Sequence, residues 1–177
     1  SESFNYDGLE NQMEGKHRPG HFDGVGTIVK RLFEIVQPNK AYFGEKDFQQ
    51  LQIVKKLVSK YNIPVDVIGC PIHREVNGLA MSSRNERLSE TAREKAAIIY
   101  QILNSAKEIF QTNSAEQTIK FVENEFKKYP EFELEYFEIA DEATLLPVSE
   151  KESEKKYRGF IAIFIENIRL IDNISLN

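Results

Sequence analysis

Two short apolar segments, "AYFG" at 41–44 and "IPVDVIGCPI" at 63–72, each follow a stretch of helical periodicity, and that arrangement leaves few folds open. The second segment is rich in β-branched residues and closes on Gly and Pro, as a buried strand does. Ahead of the first lies "GVGTIVKRLFEIVQ", 24–37, where Val25, Ile28, Val29, Leu32 and Val36 fall on one helical face. Pro38 ends that helix. Between the segments, Leu51, Val54, Val58 and Tyr61 repeat at helical spacing through Asn62. Helix–strand–helix–strand with short connections is the pattern of a parallel α/β sheet. Two strands are too few for one, because a parallel sheet needs several strands with helices on both faces, and a pair leaves a long bare edge. The expectation is an α/β domain that is incomplete here, with further strands upstream of Ser1.

The pattern changes at "EVNGLAMSSRNERL", 75–88, which has no period and reads as a loop. Beyond it, "SETAREKAAIIYQILNSAKEIFQ" predicts one long helix, N-capped by Ser89, with Ile98, Ile99, Ile102, Leu103, Ala106, Ile109 and Phe110 on its buried face. Ser114 and Gln117 form a capping box for a second helix that carries Ile119, Val122 and Phe126 toward Pro130. "FELEYFEIA" alternates Phe132, Leu134 and Tyr136 against Glu133 and Glu135, as a half-buried strand does. "GFIAIFI" and "IRLIDNI" flank Glu166-Asn167, a tight-turn pair. Residues 89–177 therefore read as a small α+β domain, two helices on a three-stranded, mostly antiparallel sheet.

Composition narrows the function classes. The net charge of −5 lacks the basic field of a nucleic-acid binder. No apolar run approaches a membrane span, and no charged-then-apolar leader opens the chain. The chain starts at Ser1 without an initiator Met, which fits either processing or membership of a longer protein. The single cysteine, Cys70, excludes an internal disulfide and suits a reduced, cytoplasmic home.

Three clusters could carry chemistry. In "FGEKDFQQL", 43–51, the strand hands over to a helix at the carboxyl end of the sheet, where ligands of open α/β folds bind. Gly44 admits close backbone approach, Lys46 offers a positive charge, and Asp47 either caps the helix or holds a ribose hydroxyl or a metal ion. Gln50, one turn inside, could bond a hydroxylated substrate. A helix N-terminus favours anions, so phosphate fits here; a surface turn with a solvated Lys46 fits the same spacing. In "MSSRN", 81–85, two hydroxyls and an arginine suit phosphate, and a plain interdomain linker is equally compatible. In "RPGHFDG", 18–24, His21 could donate to an anion and Asp23 could cap, or the stretch is a turn with a satisfied histidine. Pro19 keeps His17 and His21 off one helix face, no Cys/His cluster exists, and no metal ligands are assigned. The Gly-Lys-Ser/Thr ending of a P-loop is absent.

"RPGHFDGVGTIVKRLFEIVQPNKAYFGEKDFQQL", then "VIGCPIHREVNGLAMSSRNERLS" and "IRLIDN", closely resemble the pantothenate synthetase (pantoate–β-alanine ligase) family across nearly the whole chain. The resemblance implies a Rossmann-like nucleotidyltransferase related to class I aminoacyl-tRNA synthetases, cytoplasmic and homodimeric, using ATP and Mg²⁺ to make pantoyl-adenylate before β-alanine displaces AMP. Residues 1–75 would be the C-terminal part of the ATP- and pantoate-binding domain, 76–88 a hinge and phosphate-binding loop, and 89–177 a lid. Gly44, Glu45, Lys46 and Asp47 would bind ATP, with Lys46 on the phosphates and Gly44 and Asp47 near the ribose. His73, where the family more often has a small apolar residue, would touch adenine through its backbone. Met81, Ser82, Ser83 and Arg84 would match the mobile phosphate-binding loop of the synthetases, so Lys46, Ser82, Ser83 and Arg84 would carry the catalysis. Gln50, Arg18 and His21 would hold pantoate. The family's first ATP motif, a Gly- and His-containing loop, is absent, as are the pantoate-binding Asn and Gln residues that follow it. This chain by itself is therefore expected to be inactive. Two other readings remain at this stage: an adenylate-forming nucleotidyltransferase of the same superfamily acting on another acid, and a non-enzymatic dimerisation module.

Overall fold

A computed structural model describes residues 2–177, and the chain divides between Pro71 and Ile72 into two compact units. The first unit opens with a 3₁₀ turn at Leu9–Asn11 and a short helix α1, Met13–His17, followed by α2, His21–Val36. Strand β1, Lys40–Gly44, runs through a 3₁₀ turn at Glu45–Asp47 into α3, Phe48–Lys60, and β2, Asp66–Cys70, closes the unit. The two strands pair in parallel, Lys40 opposite Asp66 through Gly44 opposite Cys70. This is the right neighbour relation for a helix-connected pair. Phe33, Val54 and Val65 form its buried centre, with Val25, Val29, Ala41, Phe43 and Val67 packed around them.

The buried face of α2 differs from the expected stripe. Phe22, Gly26 and Phe33 are buried, while Ile28, Leu32, Ile35 and Val36 are each more than half exposed. The cause is the N-terminal segment, which lacks periodicity in sequence yet buries Phe4, Tyr6, Leu9 and Met13. Phe4 and Tyr6 stack on each other, and the Tyr6 hydroxyl donates to the Phe22 carbonyl at 3.0 Å. A Cβ at Gly26 would overlap the Tyr6 hydroxyl and stand 2.9 Å from the Phe4 ring. Glycine therefore turns α2 toward these aromatics, and the apolar residues on its other side stay outward. Tyr61, counted in the stripe of α3, is half exposed beside Phe4, and the buried set is instead Leu51, Ile53, Val54 and Leu57.

The second unit carries α4, Glu90–Lys95, α5, Ile98–Thr112, and α6, Ala115–Phe126, with the sheet β3, Phe132–Asp141, β4, Tyr157–Ile165, and β5, Ile168–Ser175. The strand order is β3-β4-β5, antiparallel throughout. The long helix expected from Ser89 is broken at Ala96–Ala97. There Ala97 bonds Glu94 and Ile99 bonds Ala96, three residues back rather than four, which tightens the turn. Ser89 accepts from the Ala92 amide as the N-cap, and Ser114 with Gln117 closes both bonds of the capping box. The alternation along β3 also departs from expectation. The register jumps between Leu134 and Tyr136, so Glu135 is an extra residue, and the burial phase flips from Tyr136 to Phe137 and Ile139. Glu166 and Asn167 both take positive φ, 51° and 60°, the conformation of a two-residue hairpin turn matched to strand twist. Among the described residues no helix is long and apolar enough to cross a membrane.

Gly26→Ala is expected to destabilise the first unit by about 1–3 kcal/mol through overpacking, outweighing the gain of about 1 kcal/mol in helix propensity. Denaturant unfolding measures it, and equal or higher stability would show that Phe4 and Tyr6 can move aside without loss.

Candidate functional site

Within the first unit, two turns come close to one another at the carboxyl end of β1. Gly44 has extended φ and ψ of −69° and 133°, and nothing stands within 4 Å of where its Cβ would be. It is not needed for the backbone conformation; what it leaves is open space beside the strand end. Glu45, Lys46 and Asp47 form the 3₁₀ turn, with Asp47 exposed and Glu45 and Lys46 half-buried. A Cβ at Gly69 would stand 3.2 Å from Glu45 Oε1, so this carboxylate lies back over β2. Asp47 makes no capping bond to α3.

The adjacent glutamines divide. Gln49 is buried and structural: its Nε2 donates to the carbonyls of Leu9 and Gln12, both at 2.8 Å, and its Oε1 accepts from the Glu14 amide at 3.1 Å. Gln50 remains half-buried on the next position. Gly20, at φ 76°, turns the chain into α2, where a side chain would be strained, and presents Arg18 and His21. Arg18 Nη1 lies 3.2 Å from His21 Nε2, which makes that nitrogen the acceptor in a neutral ring. Burial, then the Arg18 charge, lowers the His21 pKa, against the pull of Glu14 and Asp47. The Asp47 charge thus acts on His21 across the 44–47 and 18–21 turns. Asp23 does not cap; its Oδ1 accepts from the Phe4 amide at 2.8 Å.

The second unit holds the other cluster. Residues 72–88 fall within this compact unit. Ser83–Arg87 is a 3₁₀ turn N-capped by Ser82, whose Oγ accepts from the Arg84 amide at 3.2 Å. The hydroxyl proton of Ser82 is still available to donate. Met81, Ser83 and Arg84 are exposed around it, and Asn85 is buried. The His73 carbonyl accepts the Met81 amide at 2.9 Å.

Sequence reasoning missed Arg74, Glu75, Arg93 and Asp172, which hold this turn in place. Arg74 forks onto Asp172 at 2.6 and 2.9 Å and lies 3.8 Å from the Tyr100 ring centre. Arg93 grips Glu75 and lowers its pKa, with a smaller contribution from Asn85. Their partners are too distant in sequence for any local pattern to reveal. Among the described residues no group of three His, Cys, Asp or Glu converges on a metal position.

The sequence profile of the family described as pantoate-beta-alanine ligase matches residues 2–175. A pantothenate synthetase from Flavobacterium psychrophilum is 65% identical over 99% of this chain and 62% of its own length. The chain thus spans less than two thirds of the curated relatives it matches. Among solved structures, pantothenate synthetase from Thermus thermophilus superposes with a TM-score of 0.89 at 41% identity, covering 99% of this chain and 63% of that one. The Francisella tularensis pantoate-beta-alanine ligase, complexed with beta-gamma ATP and beta-alanine, superposes at 0.68 with 33% identity, covering 99% and 57%.

His21 is expected to titrate below the ordinary histidine value of 6.5 in proton NMR. Arg18→Gln should move it upward without restoring it fully, because burial is the larger cause. The unfolded chain binds this proton more readily, so His21 lowers stability as pH falls below that ordinary value. A titration at or above 6.5 would contradict this environment.

Proposed function

The chain belongs to the pantoate–β-alanine ligase family, and on that premise we propose that it supplies the phosphate-gripping half of an ATP-dependent ligase that joins pantoate to β-alanine. One observation carries the reading: "FGEKDFQQL" forms a turn at the carboxyl end of a parallel strand, leading into a helix whose start has no side-chain cap. Such a helix end attracts anions.

In this reading the Gly44–Asp47 turn and Met81–Arg84 hold ATP. Lys46 and Arg84 face the phosphates, Ser82 and Ser83 add hydroxyl donors, and Asp47 and Gly44 sit at the ribose. The backbone of His73 touches adenine, and Gln50, Arg18 and His21 hold pantoate. The pantoate carboxylate attacks the α-phosphorus in line, forming the acyl–phosphate bond as the bond to pyrophosphate breaks. The neutral amine of β-alanine then attacks the activated carbonyl carbon and AMP leaves with the bonding pair. Negative charge spreads over phosphate oxygens in the first step, so fixed donors and positioning supply the rate. No enzyme nucleophile is required. We further propose a cytoplasmic homodimer, and that the 177-residue chain by itself forms no pantothenate, in keeping with its 62% coverage of its relatives.

Pantoate-dependent exchange of pyrophosphate into ATP by the full-length protein is the test. Exchange driven by a different acid, with none from pantoate, would point instead to another adenylate-forming enzyme. Lys46→Ala should slow exchange by about 10²–10³-fold, the scale for losing one preorganised donor. A rate near wild type would remove Lys46 from the phosphates.

A further inference from the structure

The residues that present the Ser82–Arg84 turn are themselves held by a network with no direct place in the chemistry. Residues 74–80 form a narrow loop: Glu75 donates its amide to the Leu79 carbonyl at 2.8 Å, and Arg74 and Ala80 form a β-bridge. Gly78, at φ 94°, closes the loop against Tyr100, where a Cβ would stand 2.6 Å from the ring. The Glu75 carboxylate then faces two ways. Arg93 Nε and Nη2 donate to it at 3.0 and 2.9 Å, and Asn85 Nδ2 donates to its Oε1 at 2.8 Å. Asn85 Nδ2 also donates to the Ala80 carbonyl at 3.0 Å, and the Asn85 amide donates to the Ser82 carbonyl at 3.0 Å.

Asn85 is 1% exposed, and its Oδ1 is buried without a hydrogen-bond partner. Turning the amide over would aim that oxygen at the Glu75 carboxylate and the Ala80 carbonyl, so the orientation is forced. A buried acceptor without a donor is destabilising. An apolar residue in this place would avoid the penalty. What the Asn85 side chain provides that an apolar one cannot is a tie from the Glu75 carboxylate to the Ala80 carbonyl, which fixes the residue whose backbone amide holds the Ser82 carbonyl.

We infer that Glu75, clamped by Arg93, acts through Asn85 as a positioning residue that sets the Ser82–Arg84 turn for the phosphates of ATP. The inference rests on the proposed function for the ligand and on the geometry above for the tie. Misplacement of a reacting group by about 1 Å is enough to slow a reaction by about 10²-fold. The tie therefore acts on the rate of adenylation and leaves pantoate binding alone.

The test uses the full-length protein and four variants: Glu75→Leu, which removes the bonds to both Asn85 and Arg93; Glu75→Gln, which keeps an acceptor for Asn85; Arg93→Met; and Glu75→Leu with Arg93→Met. Pyrophosphate exchange gives kcat and the KM for pantoate, and hydrogen exchange reads the amides of Arg84, Asn85 and Leu88. The expected result is a graded fall in kcat, about 10²-fold for Glu75→Leu and less for Glu75→Gln and Arg93→Met, at constant pantoate KM. Those three amides should exchange faster in step with the loss. Glu75→Leu combined with Arg93→Met should be no slower than Glu75→Leu alone, since both act through one route. Unchanged kcat in Glu75→Leu, or a loss that Glu75→Gln does not moderate, overturns the inference. So does faster exchange spread over the whole second unit, which marks a merely structural role. If the wild-type protein shows no pantoate-dependent exchange, the proposed function fails instead, while the three amides still decide whether Glu75 orders the turn.

Discussion

The bidentate pair between Arg74 and Asp172 anchors the start of the 72–88 segment to the sheet of the second unit, and the bonds that shape the rest of the segment build on that anchor. Asp172 lies on β5 with its side chain 4% exposed, and it also accepts the Asn173 amide at 2.7 Å. Arg74 spends further donors on the Gly78 carbonyl, and its guanidinium faces the Tyr100 ring. Desolvating such a pair offsets much of its Coulomb attraction, so its net contribution to stability is small. Its consequence is geometric. A planar fork on a carboxylate admits one orientation, and that orientation fixes the start of the segment that leads to Ser82. A segment without hydrophobic periodicity can hold one shape because two side chains at opposite ends of the unit specify it.

A comparable division governs the first unit. In "FGEKDFQQL" the buried residues, Phe48, Gln49 and Leu51, build the core and tie down the 9–14 segment, while the positions between them stay accessible. Gln49 uses its amide on carbonyls at the 3₁₀ turn and its flank, a task no apolar residue could perform. The exposed positions of the same nonapeptide take no part in that core. Helix periodicity separates the two roles at adjacent positions.

Much of the architecture was legible before the structure. Parallel pairing of β1 with β2, the capping box at Ser114, the Ser89 cap and the Glu166-Asn167 turn all follow from local chemistry, and all stand in the structure. Misjudgements arose where non-local packing decides. The buried face of α2 depends on Phe4 and Tyr6, and the phase of β3 depends on the extra residue at Glu135, which no alternation count reveals. The break at Ala96–Ala97 sits in a run of strong helix formers, so propensity argues against it. At the candidate site, the turn residues stood out by type and spacing. The charges that brace them, Glu75 on Arg93 and Arg74 on Asp172, leave no local signal because their partners lie on other elements.

The hairpin turn at Glu166 reaches beyond its own sheet. Its carboxylate accepts from both the amide and the hydroxyl of Ser89, at 2.9 and 2.6 Å, so a residue of the last hairpin completes the cap of a helix 77 positions earlier. That closure is a high-contact-order event, slow to form because a long loop must be ordered first. Ser89 follows Leu88 at the end of the 3₁₀ turn, so the Ser82–Arg87 segment acquires its downstream anchor late in folding. During synthesis, the turn between β4 and β5 must leave the ribosome before this anchor can close, so ordering of the segment waits on residues made long after it.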